Sequence, residues 1–365
     1  MVTFDVSEPY RLDAEYTAVF EQLNSAPALV SVDSIMRLKT HLAQAAQGLR
    51  SIVQAGECAE LFSHSNQSVT RTKQKQLMAL AQTLKQHQTC PVSVIGRWAG
   101  QYAKPRSTAW SSSGQLSYHG DLIHAQAGDA PEVKRLIQGY RHASQVIQSL
   151  KWPGRAVFTS HEGLILPYER AMCREISTQG IFNVGAHLIW LGMRSWDDDR
   201  LIKLLSAIEN PIALKLGPQV EPDQLYEKVM QLNPQHQPGR MMLITRMGCD
   251  SVRSVLPAWL ERMRSMPYPI VWLCDPLHGN TRHDANGLKY RLMSEIFKEI
   301  QNTFQCHVEQ GSRCAGLHLE VSIDDNIQEC ISSTHLFDRR YTSRVDPRLT
   351  TQQALACINA IPIEY

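Results

Sequence analysis

Val92-Ser93-Val94-Ile95-Gly96-Arg97-Trp98-Ala99-Gly100-Gln101-Tyr102-Ala103-Lys104-Pro105-Arg106-Ser107 joins a short apolar run to a loop carrying three cations and a hydroxyl. Val92 to Ile95 read as a buried strand, and Gly100 and Pro105 keep a long regular element from following. Arg97, Lys104 and Arg106 therefore stand just past the C-terminal end of a strand. A guanidinium grips two oxygens in a fork and an ammonium adds a point charge, so the group suits a polyanion. A basic loop is also common as solvated surface, and the choice rests on what the rest of the chain repeats.

A beat of short β-rich run and amphipathic helix recurs along the sequence. Eight runs are expected as strands: 52–54, 92–95, 156–159, 182–191, 212–215, 241–245, 270–273 and 317–321. Helices are expected at 74–86, 132–150, 200–208, 223–232, 252–263 and 288–304. Eight strands alternating with helices predict an α/β fold, a (β/α)8 TIM barrel over residues 51–365. Apolar positions three and four apart across 12–23 and 35–49 predict an N-terminal helical extension over residues 1–50, regulatory or oligomeric in use. A doubly wound sheet is the rival, but it would show fewer strands and a Gly-rich dinucleotide turn, and neither GxGxxG nor GxxxxGK[ST] occurs.

Composition narrows the function classes. The 365 residues are 43% hydrophobic and 20% charged, with a net charge of +2, which suits a globular protein and gives no reason to expect nucleic acid or membrane as a partner. No apolar run approaches the roughly 20 residues that span a bilayer, and the first residues lack a secretory pattern. Nine scattered cysteines without a CxxC pair point to a reducing, cytoplasmic compartment.

In a barrel the strand ends share one rim, where active sites form. Parity along the last strand puts His318 and Glu320 on one face and Leu317, Leu319 and Val321 on the other, and Lys215 alternates with Leu214 and Leu216. Cys58, His278, Glu320 and Asp346 offer sulfur, nitrogen and oxygen donors that together suit a divalent transition ion. Each alone is ordinary: a strand-end cysteine is often an apolar filler, and the long spacing leaves their convergence open. Arg97, Lys104, Arg106, Arg194, Lys215 and Arg246 would place six cations around one mouth, more than solvation requires, implying substrates rich in phosphate and carboxylate. His161-Glu162 reads equally as a buried loop-orienting pair or an acid/base pair. Asp197-Asp198-Asp199 reads as a helix N-terminal cap, and Lys73 and Lys75 as a solvated helix face.

Taken together, the segments Gln54–Phe62, Gly96–Ser107, Ser160–Glu169, Trp190–Arg194, Asn210–Pro218, Arg246–Gly248, Asp275–Thr281, Gly316–Glu320 with Asp324-Asp325 and Glu329-Cys330, and Arg340–Leu349 occur in the order of a known family. The chain resembles the class II (plant-type) 3-deoxy-D-arabino-heptulosonate 7-phosphate (DAHP) synthases, as a short, divergent member. The resemblance implies a barrel that condenses phosphoenolpyruvate with erythrose 4-phosphate and releases phosphate, the entry to the shikimate pathway and aromatic biosynthesis. It implies Cys58, His278, Glu320 and Asp346 as ligands of manganese or cobalt. It further implies Arg97, Lys104, Arg194, Lys215 and Arg246 around phosphoenolpyruvate, and Arg106 and Ser107 at the aldehyde's phosphate. Lys104 is the expected proton-handling residue, and His278 both ligand and rim residue.

Departures from the family pattern fall on the acceptor side. Met193-Arg194-Ser195-Trp196 stands where the family has Glu-Arg-Thr-Arg, and Asp197-Asp198-Asp199-Arg200 replaces a following Asp-Gly-Ala-His. His119-Gly120-Asp121 replaces Arg-Gly-Asp, and Ser312-Arg313-Cys314-Ala315-Gly316 replaces Thr-His-Pro-Gly-Gly. Two alternatives follow: the same chemistry on another aldehyde, such as an amino analogue in antibiotic biosynthesis, or a non-catalytic phosphoenolpyruvate-binding barrel. The space between Thr108 and Leu150 holds a loop and one helix, so an enzyme of secondary metabolism without aromatic feedback is expected. The N-terminal helices make a homo-oligomer the expected assembly.

Overall fold

The computed structural model describes residues 5–106, 109–110, 114–150, 157–332 and 340–362. Eight parallel strands close on themselves: β1 (Ser51–Gly56), β2 (Val92–Arg97), β3 (Val157–Glu162), β4 (Leu188–Gly192), β5 (Ile212–Leu216), β6 (Met241–Thr245), β7 (Val271–Cys274) and β8 (Cys314–Glu320). Each neighbours the next in sequence, and β8 pairs with β1. A helix follows each strand in turn: α3 (Gln67–His87), α4 (Arg135–Ser149), α5 (Leu166–Ala171), α6 (Asp199–Ala207), α7 (Pro222–Leu232), α8 (Val252–Met263), α9 (Met293–Glu309) and α10 (Thr351–Asn359). The predicted (β/α)8 barrel is what the chain forms.

Two helices precede the barrel, α1 (Ala14–Ser25) and α2 (Val32–Ala46). Ser31 caps α2 by accepting the Ser34 amide. Leu38, Leu42 and Ala45 pack against Ile52, Ile95, Phe158, Leu188, Met242 and Leu273 from the strands, so α2 plugs the N-terminal end of the barrel. Burying such side chains contributes about 1.5–3 kcal/mol each. The separate apolar layer between strands and outer helices includes Leu77, Leu80 and Leu84 of α3 and Leu225, Val229 and Leu232 of α7.

Several expected boundaries shift. The run 182–191 is two strands: Gly180–Asn183 pairs antiparallel with Cys173–Ile176 outside the barrel, and only Leu188–Gly192 enters the closed sheet. Asn210 enforces the break, accepting the Asn183 amide at 2.8 Å and donating to Ala186 O at 3.0 Å. The helix expected from 288 begins at Met293, because Lys289–Leu292 forms a strand paired with Thr281–His283. Ala156, expected to open the third strand, lies outside the described residues. Asp198 caps α6 as read, accepting the Arg200 and Leu201 amides, and among the described residues α4 is the one helix between β2 and β3. Among the described residues no helix is long and apolar enough to cross a membrane.

Leu38→Ala is expected to destabilise the fold by about 2–5 kcal/mol through the cavity left beneath the barrel, whereas Met36→Ala on the half-exposed face should cost less than about 0.5 kcal/mol. Urea unfolding of the two variants measures the difference.

Candidate active site

Strand register delivers the first pair of side chains. Gly56 lies opposite Arg97 on one side and Glu320 on the other. Having no side chain, Gly56 leaves the gap across which Arg97 Nη2 reaches Glu320 Oε1 at 3.0 Å. Arg97 also donates to Cys58 O at 3.3 Å and contacts His318 Nε2 at 2.9 Å. Both Arg97 and Glu320 are fully buried, so the pairing is what makes their charges tolerable.

The loop after β2 is clamped rather than free. The Glu60 carboxylate accepts the Gly100 and Gln101 amides, both at 3.3 Å, and pairs with Lys73 at 3.2 Å. Lys73 is thus buried and structural, correcting its reading as solvated, while Lys75 is exposed. Lys73 shares a helix face with Thr70, Leu77, Leu80 and Leu84, a spacing the sequence displays. Ala99 holds a left-handed φ of 59°, a local strain that the surrounding bonds maintain. Gly120, at φ 110°, packs where a Cβ would lie 2.2 Å from Tyr102 O, and His119 O accepts the Lys104 amide at 2.8 Å. The result aims Lys104 Nζ at Glu320, Asp346 and His278 Nε2, 3.3 Å from each.

Asp346 arrives from far along the chain. Its segment docks on the end of β8, where Leu349 donates to Glu320 O and Ser322 donates to Leu349 O, both at 2.9 Å. Arg348 pins it, bonding Glu329 at 2.8 Å and Glu57 at 2.9 Å. Cys58 Sγ then stands 3.7 Å from Asp346 Oδ2. Cys58, Glu320 and Asp346 offer ligand atoms that all lie within 4.8 Å of one another. His278 Nε2 is 3.0 Å from Glu320 Oε1, and its Nδ1 bonds Asp275 Oδ2 at 2.7 Å. Three of the four expected donors thus form one cluster, and His278 adjoins it through Glu320.

The donor set fits a divalent transition ion. A carboxylate behind an imidazole, as Asp275 stands behind His278, orients the ring for coordination through the other nitrogen. Burial, with Glu320 and Asp346 adding to it, pushes the Cys58 thiol up to about 12, so ionising it calls for a cation close by. Burial would raise Glu320, but His278, Lys104 and Arg97 hold its carboxyl well below the usual range. Burial likewise opposes the Lys104 ammonium, yet Cys58, Glu320 and Asp346 raise its pKa above that of an ordinary lysine. In the structure this ammonium supplies positive charge to both carboxylates.

Above the cage opens a cavity of about 410 Å³ lined by Lys104, Arg194, Lys215 and Arg246 together with Glu162, Met193, His278 and Asp346. Lys215 bonds Asp275 Oδ2 at 2.6 Å, and burial lowers its pKa to about 8. Burial also lowers Arg194, with Arg246 and Arg106 adding to the effect against Glu162. Of the six expected cations, four line the cavity, Arg97 lies beneath it and Arg106 lies within electrostatic reach of Arg194. Ser107 lies outside the described residues. The His161-Glu162 pair divides: His161 bonds Glu169 at 2.8 Å in the interior, whereas Glu162 faces the cavity. Trp196 is not a cavity residue; it packs on the outer core with Lys228 Nζ 5.2 Å from its ring centroid.

Three charged residues were not singled out from sequence. Asp275 bridges Lys215 and His278, Lys289 bonds Asp346 Oδ1 at 2.7 Å, and Arg291 bonds Glu320 Oε2 at 3.4 Å and Pro347 O. The alternation of Lys289 and Arg291 in a four-residue strand was the available signal, masked by the helical reading of that segment.

Cations turned into a barrel mouth over clustered metal-binding donors mark the class of α/β-barrel enzymes that work on anionic small molecules. Comparison identifies the kind: the class-II DAHP synthetase family model matches residues 4–155 and 148–361, and the chain belongs to that family. A phospho-2-dehydro-3-deoxyheptonate aldolase of Neurospora crassa is 32% identical over 416 residues, covering 92% of this chain and 86% of that protein. A probable phospho-2-dehydro-3-deoxyheptonate aldolase of Pseudomonas fluorescens is 35% identical, covering 97% of this chain and 92% of that protein. The solved structure of a phospho-2-dehydro-3-deoxyheptonate aldolase from Francisella tularensis SCHU S4 superposes with a TM-score of 0.61 at 13% identity, over 100% of this chain and 99% of that one, and shares the fold.

Lys73→Met strands the Glu60 carboxylate in the interior and is expected to cost about 3–5 kcal/mol, against a near-neutral Lys75→Met. Chemical denaturation of both variants checks it.

Proposed function

We propose that this chain is a metal-dependent DAHP synthase that joins phosphoenolpyruvate to erythrose 4-phosphate. The observation that carries the reading is the convergence of Cys58, His278, Glu320 and Asp346 directly under a cavity ringed by Lys104, Arg194, Lys215 and Arg246. Two phosphorylated reactants repel each other, and a ring of fixed cations lowers the cost of bringing them together. Arg97, Lys104, Arg194, Lys215 and Arg246 are assigned to phosphoenolpyruvate, and Arg106 with Ser107 to the aldehyde's phosphate. Cys58, His278, Glu320 and Asp346 would hold a manganese or cobalt ion, which would supply Lewis acidity toward the aldehyde oxygen. Carbon 3 of phosphoenolpyruvate then forms the new bond to the aldehyde carbon, water adds at carbon 2, and phosphate leaves as its carbon–oxygen bond breaks. We assign proton handling or binding at that centre to Lys104, whose ammonium lies 3.3 Å from two carboxylates and an imidazole.

A second reading rests on Met193. It lines the cavity without a charge, so the acceptor is a different phosphorylated aldehyde, such as an amino analogue used in secondary metabolism. We further assign the enzyme to the cytoplasm and to a homo-oligomer built through its N-terminal helices.

Phosphate release from phosphoenolpyruvate, measured with manganese across a panel of phosphorylated aldehydes, separates the readings. Release with erythrose 4-phosphate is expected; release with another aldehyde alone selects the second reading, and release with none overturns both. Chelation followed by dialysis should abolish turnover, with manganese or cobalt restoring it, and Cys58→Ala should lower metal affinity at least about tenfold in equilibrium dialysis. Tryptophan and phenylalanine should leave the steady-state rate unchanged.

A further inference from the structure

A line of polar side chains crosses the barrel lumen beneath the cation ring, where apolar filling would be the ordinary choice. Ser160 Oγ donates to Gly96 O at 3.0 Å. Because that carbonyl only accepts, the direction of every following bond is set. Gln54 Nε2 donates to Ser160 Oγ at 3.0 Å, which leaves Gln54 Oε1 facing His318 Nδ1 at 2.8 Å. His318 must therefore carry its proton on Nδ1. Its Nε2 lone pair is left to face Arg97 Nη1 at 2.9 Å and Lys215 Nζ at 3.2 Å. Turning the Gln54 amide over would aim a ring N–H at two cations that can only donate. The bond polarity thus has one consistent solution, read from a backbone carbonyl to the substrate cations.

Gln54, Ser160 and His318 are buried, and His318 also meets the edge of Trp190, over whose ring Arg97 lies at 5.3 Å. Register keeps the line level: Gln54 sits opposite His318, and Ser160 opposite Arg97. Two like charges meet at one neutral acceptor, which offsets their repulsion and fixes both head groups. We propose that His318, held in its Nδ1–H form by Gln54 and Ser160, is a positioning residue that sets Arg97 and Lys215 for phosphoenolpyruvate. The proposal rests on the assignment of those two cations to that substrate.

Steady-state kinetics and equilibrium dialysis of phosphoenolpyruvate on the manganese-loaded enzyme test it. His318→Phe should raise both KM and Kd for phosphoenolpyruvate by about tenfold or more, the loss expected when an acceptor shared by two charged donors is removed. The KM of the aldehyde and the bound manganese should stay within about threefold of wild type. His318→Gln, which returns an acceptor oxygen, should recover most of the loss, and Gln54→Leu should fall between the two. Unchanged phosphoenolpyruvate binding in His318→Phe overturns the positioning role. So does a Gln variant no better than Phe, or a KM rise shared equally by both substrates. If Phe does not fold, the Gln54→Leu comparison decides alone, an unchanged KM overturning the role. Wild-type enzyme that fails to bind phosphoenolpyruvate would instead bring down the substrate assignment and this role with it.

Discussion

The site is organised around one buried carboxylate. Glu320 has no solvent exposure and is engaged by Arg97, Lys104, Arg291 and His278. An isolated charge at that depth would be prohibitive, and removing one partner of such a group costs about 3–5 kcal/mol. The arrangement therefore demands that several strand ends and two returning loops reach their places together. Positive charge around Glu320 exceeds what one carboxylate neutralises, and Asp275 and Asp346 share the surplus. What remains faces the cavity, where an anionic reactant completes the balance.

The barrel makes this concentration of charge affordable by separating it from the apolar layers. α2 seals the far end, the strand–helix interface holds the aliphatic core, and the charged groups of the site gather in the upper lumen and the mouth. Loop geometry then refines direction. Glu60, Lys73 and Gly120 fix the turn that aims Lys104, and Asn280 donates to Glu299 while accepting from Cys249, tying the loops after β6 and β7. Neither Glu60 nor Glu299 touches the cavity, yet each holds the backbone from which a cavity residue projects.

Much of the fold was legible because apolar strands between turn residues carry a period of two or an unbroken hydrophobic run. All eight barrel strands were located, since closure buries them on both faces. The failures lie where local pattern and tertiary need diverge. Residues 182–191 read as one strand because Asn183, Gly185 and His187 do not interrupt hydrophobicity strongly, and only Asn210, distant in sequence, makes the break. The site was legible as residue types at strand ends, while its convergence was not: Cys58 and Asp346 are 288 residues apart, and spacing of that length encodes no distance. Asp275 lay inside a quoted motif, but its work as the counter-charge to Lys215 and His278 depends on neighbours from other strands. Lys73 was misread even though its period matched the leucines of α3, because its charge outweighed its position.

That separation along the chain has a consequence for synthesis. At about 5–20 residues per second, roughly 15–60 s pass between the emergence of Cys58 and that of Asp346. Through that interval the thiol belongs to an unfinished cage, with neither of its carboxylate neighbours yet made for most of the time. A nascent chain must therefore carry a bare sulfur through that stretch of translation, until a segment made 288 residues later shelters it.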